Sequence, residues 1–295
     1  MIGPPVLVGE GATTRRRLFG LIALSCAVAL TAVACGGGGG GLTLREGTLT
    51  IGSDIPYVPF EFRQDGTLTG FDVELMDAVA DELGLKTRYV EANFDALFPA
   101  LQEGRVDVIA AAVPAYAPEG SPTSEEVTQR AQLVAFTKPY FPSLQSLVVN
   151  RAKHSDVRSL GDVASGGGKV AVQRGTTGEF VARSRLDAGQ IVTFPKPPEM
   201  FDALRTGQVV GVVIDLAVSQ DATEGSKGLR IVQQIDTGEE FAFCVNSGNT
   251  ELLDRINSAL DGMFRDGTYA RLYHRYFPGQ KLPLYASRKR RAGGS

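Results

Sequence analysis

Three segments with polar side chains stand where apolar runs of the sequence end. Asp54 follows T-L-T-I-G-S, Asp215 ends V-V-G-V-V-I-D, and the segment G-T-T-G at 175–178 follows a run that begins at Lys169. Open α/β sheets bind ligands outside the carboxyl ends of their strands, so these positions are candidates for a binding site. The backbone N–H groups of 175–178, at the start of a predicted helix, favour an anion. Asp215 is either a helix cap or the partner of a cation, and its residue type leaves both open.

The segment D-I-P-Y-V-P-F-E-F at 54–62 is too aromatic for a plain connection. A plain loop needs glycine or serine, whereas this one carries Tyr57, Phe60 and Phe62. We interpret it as a loop that presents an apolar face and the carboxylate of Asp54 to a ligand.

Helix and strand patterns alternate from residue 48 onward, which is typical of an α/β fold. Apolar residues spaced four apart predict a helix over 71–83 that ends at Gly84. Asn93 is predicted to cap a helix over 94–103. The apolar run 106–113 then predicts a strand buried on both faces of a parallel sheet.

A weak internal repeat indicates two similar lobes. F-P-A-L-Q-E-G-R-V begins at Phe98 and F-D-A-L-R-T-G-Q-V begins at Phe201. Each is a predicted helix that stops at glycine and leads into a buried strand. Chance resemblance between helix ends is the alternative.

The repeat predicts two lobes with two crossings between them. We assign 48–139 with 245–280 to the first lobe, 145–239 to the second lobe, and 140–144 and 240–244 to a hinge. In the second lobe, 169–173 and 209–215 are predicted strands and 177–186 a predicted helix. A C-terminal helix capped by Thr250 would return to the first lobe. Two crossings make a hinge, and a hinge between lobes makes a cleft.

The beginning of the chain has the features of an export signal. Arg15–Arg17 precede an apolar run at 18–33, and A-V-A-C at 32–35 resembles a lipobox, which predicts a signal peptide over 1–34 and lipidation of Cys35. Residues 35–47 would be a glycine-rich tether. A twin-arginine signal is one alternative, and a single membrane-spanning helix is another, although the run is shorter than the about 20 residues that a bilayer needs. The basic segment 281–295 is predicted to be a disordered tail.

Charge and cysteine content exclude several kinds of protein. The net charge is −3 over 295 residues, and it becomes −5 once the three arginines and Glu10 of residues 1–34 are removed. No basic face for nucleic acid is implied. Cys35 and Cys244 alone would remain, so lipidation of Cys35 leaves no intramolecular disulfide.

Five motifs resemble the extracellular solute-binding proteins of family 3, the polar amino-acid receptors of ABC importers. Their order and spacing cover about 48–278, most of the chain after the signal. The motifs are S-D-I-P-Y-V-P-F-E-F, G-F-D-V-E-L-M-D-A-V-A, F-D-A-L-F-P-A-L-Q-E-G-R-V-D, F-T-K-P-Y and D-G-T-Y-A-R-L-Y-H-R-Y-F. The resemblance implies two α/β lobes that close on an amino acid, in a two-lobed fold of the type II periplasmic-binding-protein kind.

The resemblance also implies roles for six residues. Asp54 and Tyr57 would line the cleft, and Phe94 would be a second aromatic face against the ligand. Arg130 would hold the ligand α-carboxylate. A guanidinium pairs with a carboxylate through two hydrogen bonds, which suits this role.

Thr176 would assist Arg130 with that carboxylate, and Asp215 would accept the α-ammonium. Arg130 and Asp215 would come from different lobes, placing opposite charges in one cleft. Without the resemblance, Arg130 would be interpreted as a solvated surface charge, and Phe94 and Phe98 would be interpreted as residues of the hydrophobic core.

The chain departs from the family pattern after Ala112. The segment that follows is rich in proline and acid and reads as a short insertion at 114–127, and Pro114 lacks a backbone donor. The hydroxyl that assists Arg130 would then be Thr123, Ser124 or Thr128. Gln173 and Ile214 replace charged or imidazole groups of some relatives, which argues against an acidic ligand. Asp54 would be free to meet an amide or a cation, which favours a polar or basic amino acid.

The resemblance therefore predicts a monomeric lipoprotein outside the membrane that delivers an amino acid to an ABC permease, with no cofactor, no metal and no catalytic residue. Two alternatives stay open. One is an enzyme of the same superfamily, a dehydratase acting on prephenate-like acids. The other is a sensor domain that signals through a separate protein. His154 and His274 lie in positions that suggest neither a metal site nor a base in the cleft.

Overall fold

The computed structural model describes residues 41–287. The predicted signal peptide, the lipidation at Cys35, and residues 288–295 of the predicted tail lie outside the described residues. Within 41–287, no helix combines the length and the apolar character that crossing a bilayer requires.

Two mixed sheets form the framework. The five-stranded sheet has the order β4-β1-β5-β13-β7 and the six-stranded sheet has the order β10-β9-β11-β8-β12-β6, with β2 and β3 forming a separate hairpin. The strands, numbered along the chain, are β1 (Thr48–Ser53), β2 (Phe62–Gln64), β3 (Thr67–Thr69), β4 (Lys86–Glu91), β5 (Val108–Ile109), β6 (Pro114–Tyr116), β7 (Ala135–Phe136), β8 (Phe141–Asn150), β9 (Val170–Gln173), β10 (Ile191–Phe194), β11 (Gly211–Asp215), β12 (Leu229–Phe241) and β13 (Cys244–Val245).

Helices pack on both sheets and make two α/β lobes. We call the part built on the five-stranded sheet the first lobe and the part built on the six-stranded sheet the second lobe. The helices are α1 (Phe71–Glu82), α2 (Phe94–Gln102), α3 (Ser124–Leu133), α4 (Leu160–Gly166), α5 (Thr177–Arg183), α6 (Pro197–Thr206), α7 (Leu216–Glu224), α8 (Thr250–Asp266), α9 (Thr268–Tyr276) and α10 (Leu284–Ser287), with a 3-10 turn at Ala188–Gln190.

The internal repeat occupies equivalent places in the two lobes. In the first lobe, β1, α1, β4, α2 and β5 occur in this order, with the β2–β3 hairpin between β1 and α1, and β1 lies between β4 and β5 in the sheet. In the second lobe, β9, α5, β10, α6 and β11 follow one another, and β9 lies between β10 and β11. The strand pairs β1–β4, β1–β5, β9–β10 and β9–β11 are all parallel. The carboxyl ends of β1 and β9 are therefore equivalent positions in two copies of one motif.

Three chain segments connect the two sheets. Residues 110–113 lead from β5 to β6, residues 137–140 lead from β7 to β8, and residues 242–243 lead from β12 to β13. Main-chain hydrogen bonds join these segments: Thr137 N donates to Phe243 O (2.9 Å), Tyr140 N to Phe241 O (2.9 Å), and Ala242 N to Val113 O (3.0 Å). The sequence predicted two crossings, and the segment 110–113 adds a third. The exact residues at which each lobe begins and ends stay predictions.

The aromatic loop after β1 contributes to the core as well as to the cleft. Phe60 is fully buried, with its ring centroid 5.0 Å from that of Phe141 and 5.4 Å from that of Phe241. Phe141 and Phe241 pair across β8 and β12 beside the connecting segments. Phe62 starts β2 and is half-buried. The ring of Phe60 is therefore part of the core beside β8 and β12 and is not exposed to a ligand.

Several predicted element ends differ from the structure. The strand expected over 106–113 is paired only at Val108–Ile109, because the chain then leaves the first sheet and Ala112 adopts a positive φ of 45°. The helix expected over 177–186 ends at Arg183. The C-terminal helix is capped by Asn249, whose side chain accepts from Leu252 N, rather than by Thr250. The C-terminal helices α8 and α9 return to pack on α1 of the first lobe, as expected.

Both predicted terminal extensions are partly folded. Leu44 N donates to Asp107 Oδ1 (2.6 Å) and Asn249 Nδ2 donates to Leu42 O (3.1 Å), so the described part of the predicted tether is held on the first lobe. At the other end, Leu284–Ser287 form α10, which packs on α8. The prediction of a flexible tether is wrong for residues 42–47, and the prediction of disorder is wrong for residues 284–287.

Candidate functional site: a cleft between two lobes

A small cavity lies between the two lobes at the carboxyl ends of β1, β9 and β11. Its free volume is about 10 Å³, which is roughly the room that one water molecule needs. It is lined by Asp54, Tyr57, Phe94, Ala111, Ala112, Pro114, Gln173, Thr176, Thr177 and Asp215. Five of the six residues predicted to bind a ligand therefore meet at one place, and the sixth, Arg130, contacts residues of this lining. The walls must separate before anything as large as an amino acid can enter.

The carboxylate of Asp215 accepts three side-chain hydrogen bonds in the cleft. Ser143 Oγ donates to its Oδ1 (2.7 Å), Gln145 Nε2 donates to the same oxygen (2.9 Å), and Tyr57 Oη donates to Oδ2. Asp215 caps α7 by position, but its side chain makes no cap hydrogen bond. The sequence left two interpretations of Asp215 open, a helix cap and a partner for a cation. Its side chain does not form the capping hydrogen bond, so the first interpretation is not supported.

A second buried carboxylate, Glu239 of β12, lies close to Asp215. Gln145 Nε2 donates to both groups, at 2.9 Å to Asp215 and 3.3 Å to Glu239. Burial, followed by the charge of Glu239, raises the pKa of Asp215 to about 7, although hydrogen bonds from Tyr57 and Ser143 and the positive charge of Arg130 lower it. Burial also raises the pKa of Glu239. Two carboxylates that share one amide donor cannot both ionise without cost, so the pair favours a cation beside it.

Arg130 is buried behind the cleft rather than exposed. Its side chain is 3% exposed, and its guanidinium lies 5.3 Å from the Phe94 ring centroid and 5.6 Å from that of Phe98. Its Nη2 donates to Gly175 O of the second lobe (2.8 Å), and its Nε pairs with Glu126 (3.1 Å). Burial lowers the pKa of Arg130, and the charges of Glu126 and Glu239 oppose that shift. The reading of Arg130 as a solvated surface charge is wrong.

Phe94 belongs to both the core and the cleft. It packs edge-on against Phe98 at 5.7 Å, within the core cluster of α2, and it also lines the cavity. Because its face lies under the Arg130 guanidinium, it excludes water from that charge. Phe98 belongs to the same core cluster but does not line the cavity.

The segment 175–178 is less available to an anion than its sequence suggested. Gly175 N, just before α5, donates to Glu179 Oε2 of that helix (2.8 Å), and the Thr176 hydroxyl donates to Gln173 O (2.8 Å). A carboxylate of the chain itself therefore occupies the start of α5. Thr176 still lines the cavity and is half-buried.

Of the three hydroxyls expected to assist Arg130, only Thr123 is placed in the interior. Thr123 is fully buried and its hydrogen bond lowers the pKa of Glu239. Ser124 Oγ donates to Ser121 O (2.9 Å), and Thr128 Oγ1 donates to Ser124 O (2.8 Å) on the exposed side of α3. The segment that departs from the family pattern thus delivers one hydroxyl to the acidic pair and keeps the others within its own turns.

Asp54 is not free, contrary to the expectation from sequence. Lys196, at the start of α6 in the second lobe, forms an ion pair with Asp54 Oδ1, and Gln173 Nε2 donates to Oδ2 (2.5 Å). Burial raises the pKa of Asp54, whereas Lys196 and Gln173 lower it. The carboxylate that was expected to meet a ligand is paired with the opposite wall.

Sequence reasoning missed Lys196, Glu239, Ser143 and Gln145. Three of them carried a detectable signal, because Ser143, Gln145 and Glu239 are polar residues that point into the interior from long strands. A polar side chain in such a position needs a partner. Lys196 had no such signal, since the position of its ammonium depends on how the lobes meet.

The described residues 41–287 contain no group of three or more histidine, cysteine, aspartate or glutamate side chains placed to hold a metal ion.

Two α/β lobes joined by three segments, with buried charges on both walls of the cleft, define a two-lobed binding protein that closes over a small solute. Comparison with known sequences agrees with this class. The chain belongs to the bacterial extracellular solute-binding proteins, family 3, whose profile matches residues 49–279.

The relatives are amino-acid-binding proteins. The chain is 31% identical over 231 residues to a probable histidine-binding protein of Campylobacter jejuni, covering 78% of this chain and 84% of that protein. Among solved structures, an ancestral arginine-binding protein bound to glutamine superposes with a TM-score of 0.71 and 35% identity, covering 79% of this chain and 99% of that one. An ancestral amino acid-binding protein described as a precursor of cyclohexadienyl dehydratase superposes with a TM-score of 0.68 and 33% identity, covering 78% and 95%.

Proposed function

We propose that this protein captures a free α-amino acid between its two lobes and delivers it to the permease of an ABC importer. The observation that carries the proposal is a cavity walled by both lobes that is lined by the buried carboxylate of Asp215 and backed by the buried guanidinium of Arg130, which contacts Phe94 of the lining. An α-amino acid carries the complementary pair of charges. Two similar proteins, a probable histidine-binding protein and an ancestral arginine-binding protein bound to glutamine, support the same class of ligand by their descriptions.

The proposed roles follow from charge and position. Arg130 holds the α-carboxylate, with Thr176 beside it. Asp215 accepts hydrogen bonds from the α-ammonium, which replace the hydrogen bond from the Tyr57 hydroxyl. Tyr57 and Phe94 cover the ligand and exclude water, which strengthens both ion pairs. Micromolar affinity corresponds to about −8 kcal/mol, which is within reach of two charge-assisted contacts and lobe closure.

Binding requires an open state. Because the closed cleft has about 10 Å³ of free volume, the ligand enters only when Tyr57 and Asp215 separate. The three segments that connect the sheets are the proposed hinge. The ligand then replaces contacts between the walls with its own contacts to each wall.

The proposal includes a place outside the membrane. The family is extracellular. We propose that residues 1–34 are removed as a signal peptide and that Cys35 carries a lipid that anchors a monomer to the membrane surface. Mass spectrometry of the mature N-terminus, with and without Cys35→Ser, tests this part. A mature chain that retains residues 1–34 would reject it.

Calorimetry of the full-length chain in detergent against the twenty L-amino acids tests the proposed function. We expect binding of one or a few of them, without chemical change of the ligand. No heat from any α-amino acid would reject the proposal.

Catalysis is the second candidate function. A buried carboxyl group whose pKa is about 7, such as Asp215, is suited to general acid–base work at neutral pH. The similarity to a precursor of a dehydratase also favours a test. Incubation with prephenate-like acids, followed by chromatography, distinguishes the two functions, since product formation would favour an enzyme.

A further inference from the structure

Lys196 places a positive charge of the protein itself in the cleft, opposite the wall that carries Asp54. It stands directly before α6 in the second lobe, and its side chain is 19% exposed. Its ammonium pairs with Asp54 Oδ1 and donates to Ala92 O (2.9 Å). Asp54 and Ala92 follow β1 and β4 of the first lobe, so the charge of Asp54 is neutralised by a residue of the other lobe.

Gln173 adds a neutral acceptor beside this ion pair. Its Nε2 donates to Asp54 Oδ2 (2.5 Å) and to Pro195 O (3.0 Å). Both partners are acceptors, which fixes the orientation of the amide. Within residues 41–287, its buried Oε1 has no hydrogen-bond partner. Gln173 lines the cavity, so this oxygen is an acceptor that a ligand N–H can satisfy.

The Lys196 ammonium also retains donor capacity. An ammonium group has three N–H donors, and two of the three have partners here, Asp54 and Ala92 O. The third donor and the orphan oxygen of Gln173 lie together at the Asp54 end of the cleft, because Lys196 and Gln173 each bond to the Asp54 carboxylate. This end offers one donor and one acceptor but no uncompensated charge.

We infer that this end of the cleft selects an uncharged amide side chain, as in glutamine or asparagine, over a cationic one. The inference rests on the proposed function, since it assumes that Arg130 and Asp215 hold the α-carboxylate and the α-ammonium. An amide side chain complements both the Lys196 ammonium and Gln173 Oε1, because its NH₂ donates to Gln173 Oε1 and its oxygen accepts from Lys196. A cationic side chain has to displace Lys196 from Asp54 or lie beside it, and like charges at that distance repel.

The test compares ligands on the full-length chain and on Lys196→Met. Calorimetry measures the Kd of each protein for glutamine, asparagine, arginine, lysine and glutamate. We expect the wild type to bind an amide ligand at least tenfold more tightly than arginine or lysine. Lys196→Met frees Asp54, and the ratio of the arginine Kd to the glutamine Kd is expected to fall at least tenfold. The matched control is Lys227→Met, because Lys227 is exposed on the second lobe, does not line the cavity, and has no partner found for it within residues 41–287. The control should leave the ratio unchanged.

A merely structural role for Lys196 would lower all affinities together and leave the ratio between ligands unchanged, which would overturn the inference. Tighter binding of arginine, lysine or glutamate than of either amide by the wild type would also overturn it.

Circular dichroism checks the fold, and Lys196→Gln replaces the methionine variant if that variant does not fold. Gln173→Leu removes the acceptor and should weaken glutamine at least fivefold more than arginine. If the wild type binds no α-amino acid at all, the proposed function itself fails.

Discussion

Tyr57 of the first lobe donates its hydroxyl proton to Asp215 of the second lobe, in the middle of the cleft. Burial, and then the charge of Asp215, raise the pKa of Tyr57 well above its usual value, so the phenol stays protonated and keeps donating. The two walls are thus joined by a contact that uses the same carboxylate proposed to bind the ligand ammonium. The Tyr57 hydroxyl and the ligand ammonium therefore compete for one carboxylate.

Replacing Arg130 is expected to weaken the binding of every α-amino acid. Arg130→Lys keeps the charge but loses the planar guanidinium, which can donate two hydrogen bonds to one carboxylate. We expect calorimetry to show a Kd at least thirtyfold higher for whichever ligand the wild type binds. Arg255→Ala is the control, because Arg255 forms an exposed pair with Glu251 on α8. An unchanged Kd for Arg130→Lys would show that the carboxylate is held elsewhere.

The affinity for the amino acid is expected to fall as the pH falls. The ammonium binds the ionised form of Asp215, and the pKa of that group is about 7 without ligand, so protonation competes with binding below pH 7. Between pH 8 and pH 6 we expect the Kd to rise about tenfold, as one proton requires. Calorimetry in buffers of different ionisation enthalpy also measures the proton released on binding.

Asp215→Asn separates this effect from other titrations. The variant keeps the shape and most hydrogen bonds but loses the charge, so we expect weaker binding at pH 8 by about a hundredfold and no remaining change between pH 6 and pH 8. A variant that keeps the full pH dependence would place the titrating group elsewhere, with Glu239 the next to test.

Asp72 is expected to make the protein less stable as the pH rises from about 4 to about 7. Its Oδ2 accepts from Tyr140 Oη (2.6 Å) and Ala112 N (2.8 Å), its Oδ1 is buried without a partner within residues 41–287, and burial raises its pKa to about 7. A raised carboxyl pKa gives stability that is present below the unfolded pKa of 3.8 and is lost as the pH rises through the folded pKa. Over that window the loss is about 4 kcal/mol for this group.

Urea unfolding of the wild type and of Asp72→Asn, at several pH values between 4 and 8, measures this contribution. The difference in the free energy of unfolding between the two proteins should change across that window in favour of the asparagine variant and level off above pH 7. Parallel curves for the two proteins would contradict the raised pKa.

Gly175 is expected to matter for closure of the cleft. It has a φ of +76°, and a Cβ at this position would lie 3.1 Å from Asp95 Cβ across the cleft. Gly175→Ala should therefore weaken ligand binding about tenfold by keeping the walls apart. Gly84→Ala is the matched control, since Gly84 has a similar φ of +69° and its Cβ would meet nothing within 4 Å. Both variants bear the backbone strain of a left-handed alanine, so equal effects of the two on affinity would rule out the closure mechanism.

The order of elements and much of the site could be predicted from sequence, for identifiable reasons. Asp54 follows an apolar strand of the first lobe, Gln173 and Asp215 end apolar strands of the second lobe, and the carboxyl ends of these strands face the cleft. Gly84, Gly104 and Gly207 follow predicted helices, and all three have positive φ. These are local patterns, which the sequence displays directly.

The rest depends on contacts between distant segments. The strand expected over 106–113 is cut short because Asp72, forty residues earlier, fixes the N–H of Ala112 in a left-handed conformation. Lys196 reaches Asp54 only because the two lobes meet, and no local pattern encodes that approach. The roles of Arg130 and Thr176 in ligand binding stay predictions.

The three connecting segments have a mechanical consequence. Main-chain hydrogen bonds join Val113, Thr137 and Tyr140 to residues 241–243, and we expect the three segments to bend together about one axis and to resist sideways shear. Each swing therefore brings the same two surfaces back into register. A carrier that must load and unload many times needs such repeatability, and here it is built into the crossover strands, independent of the cargo.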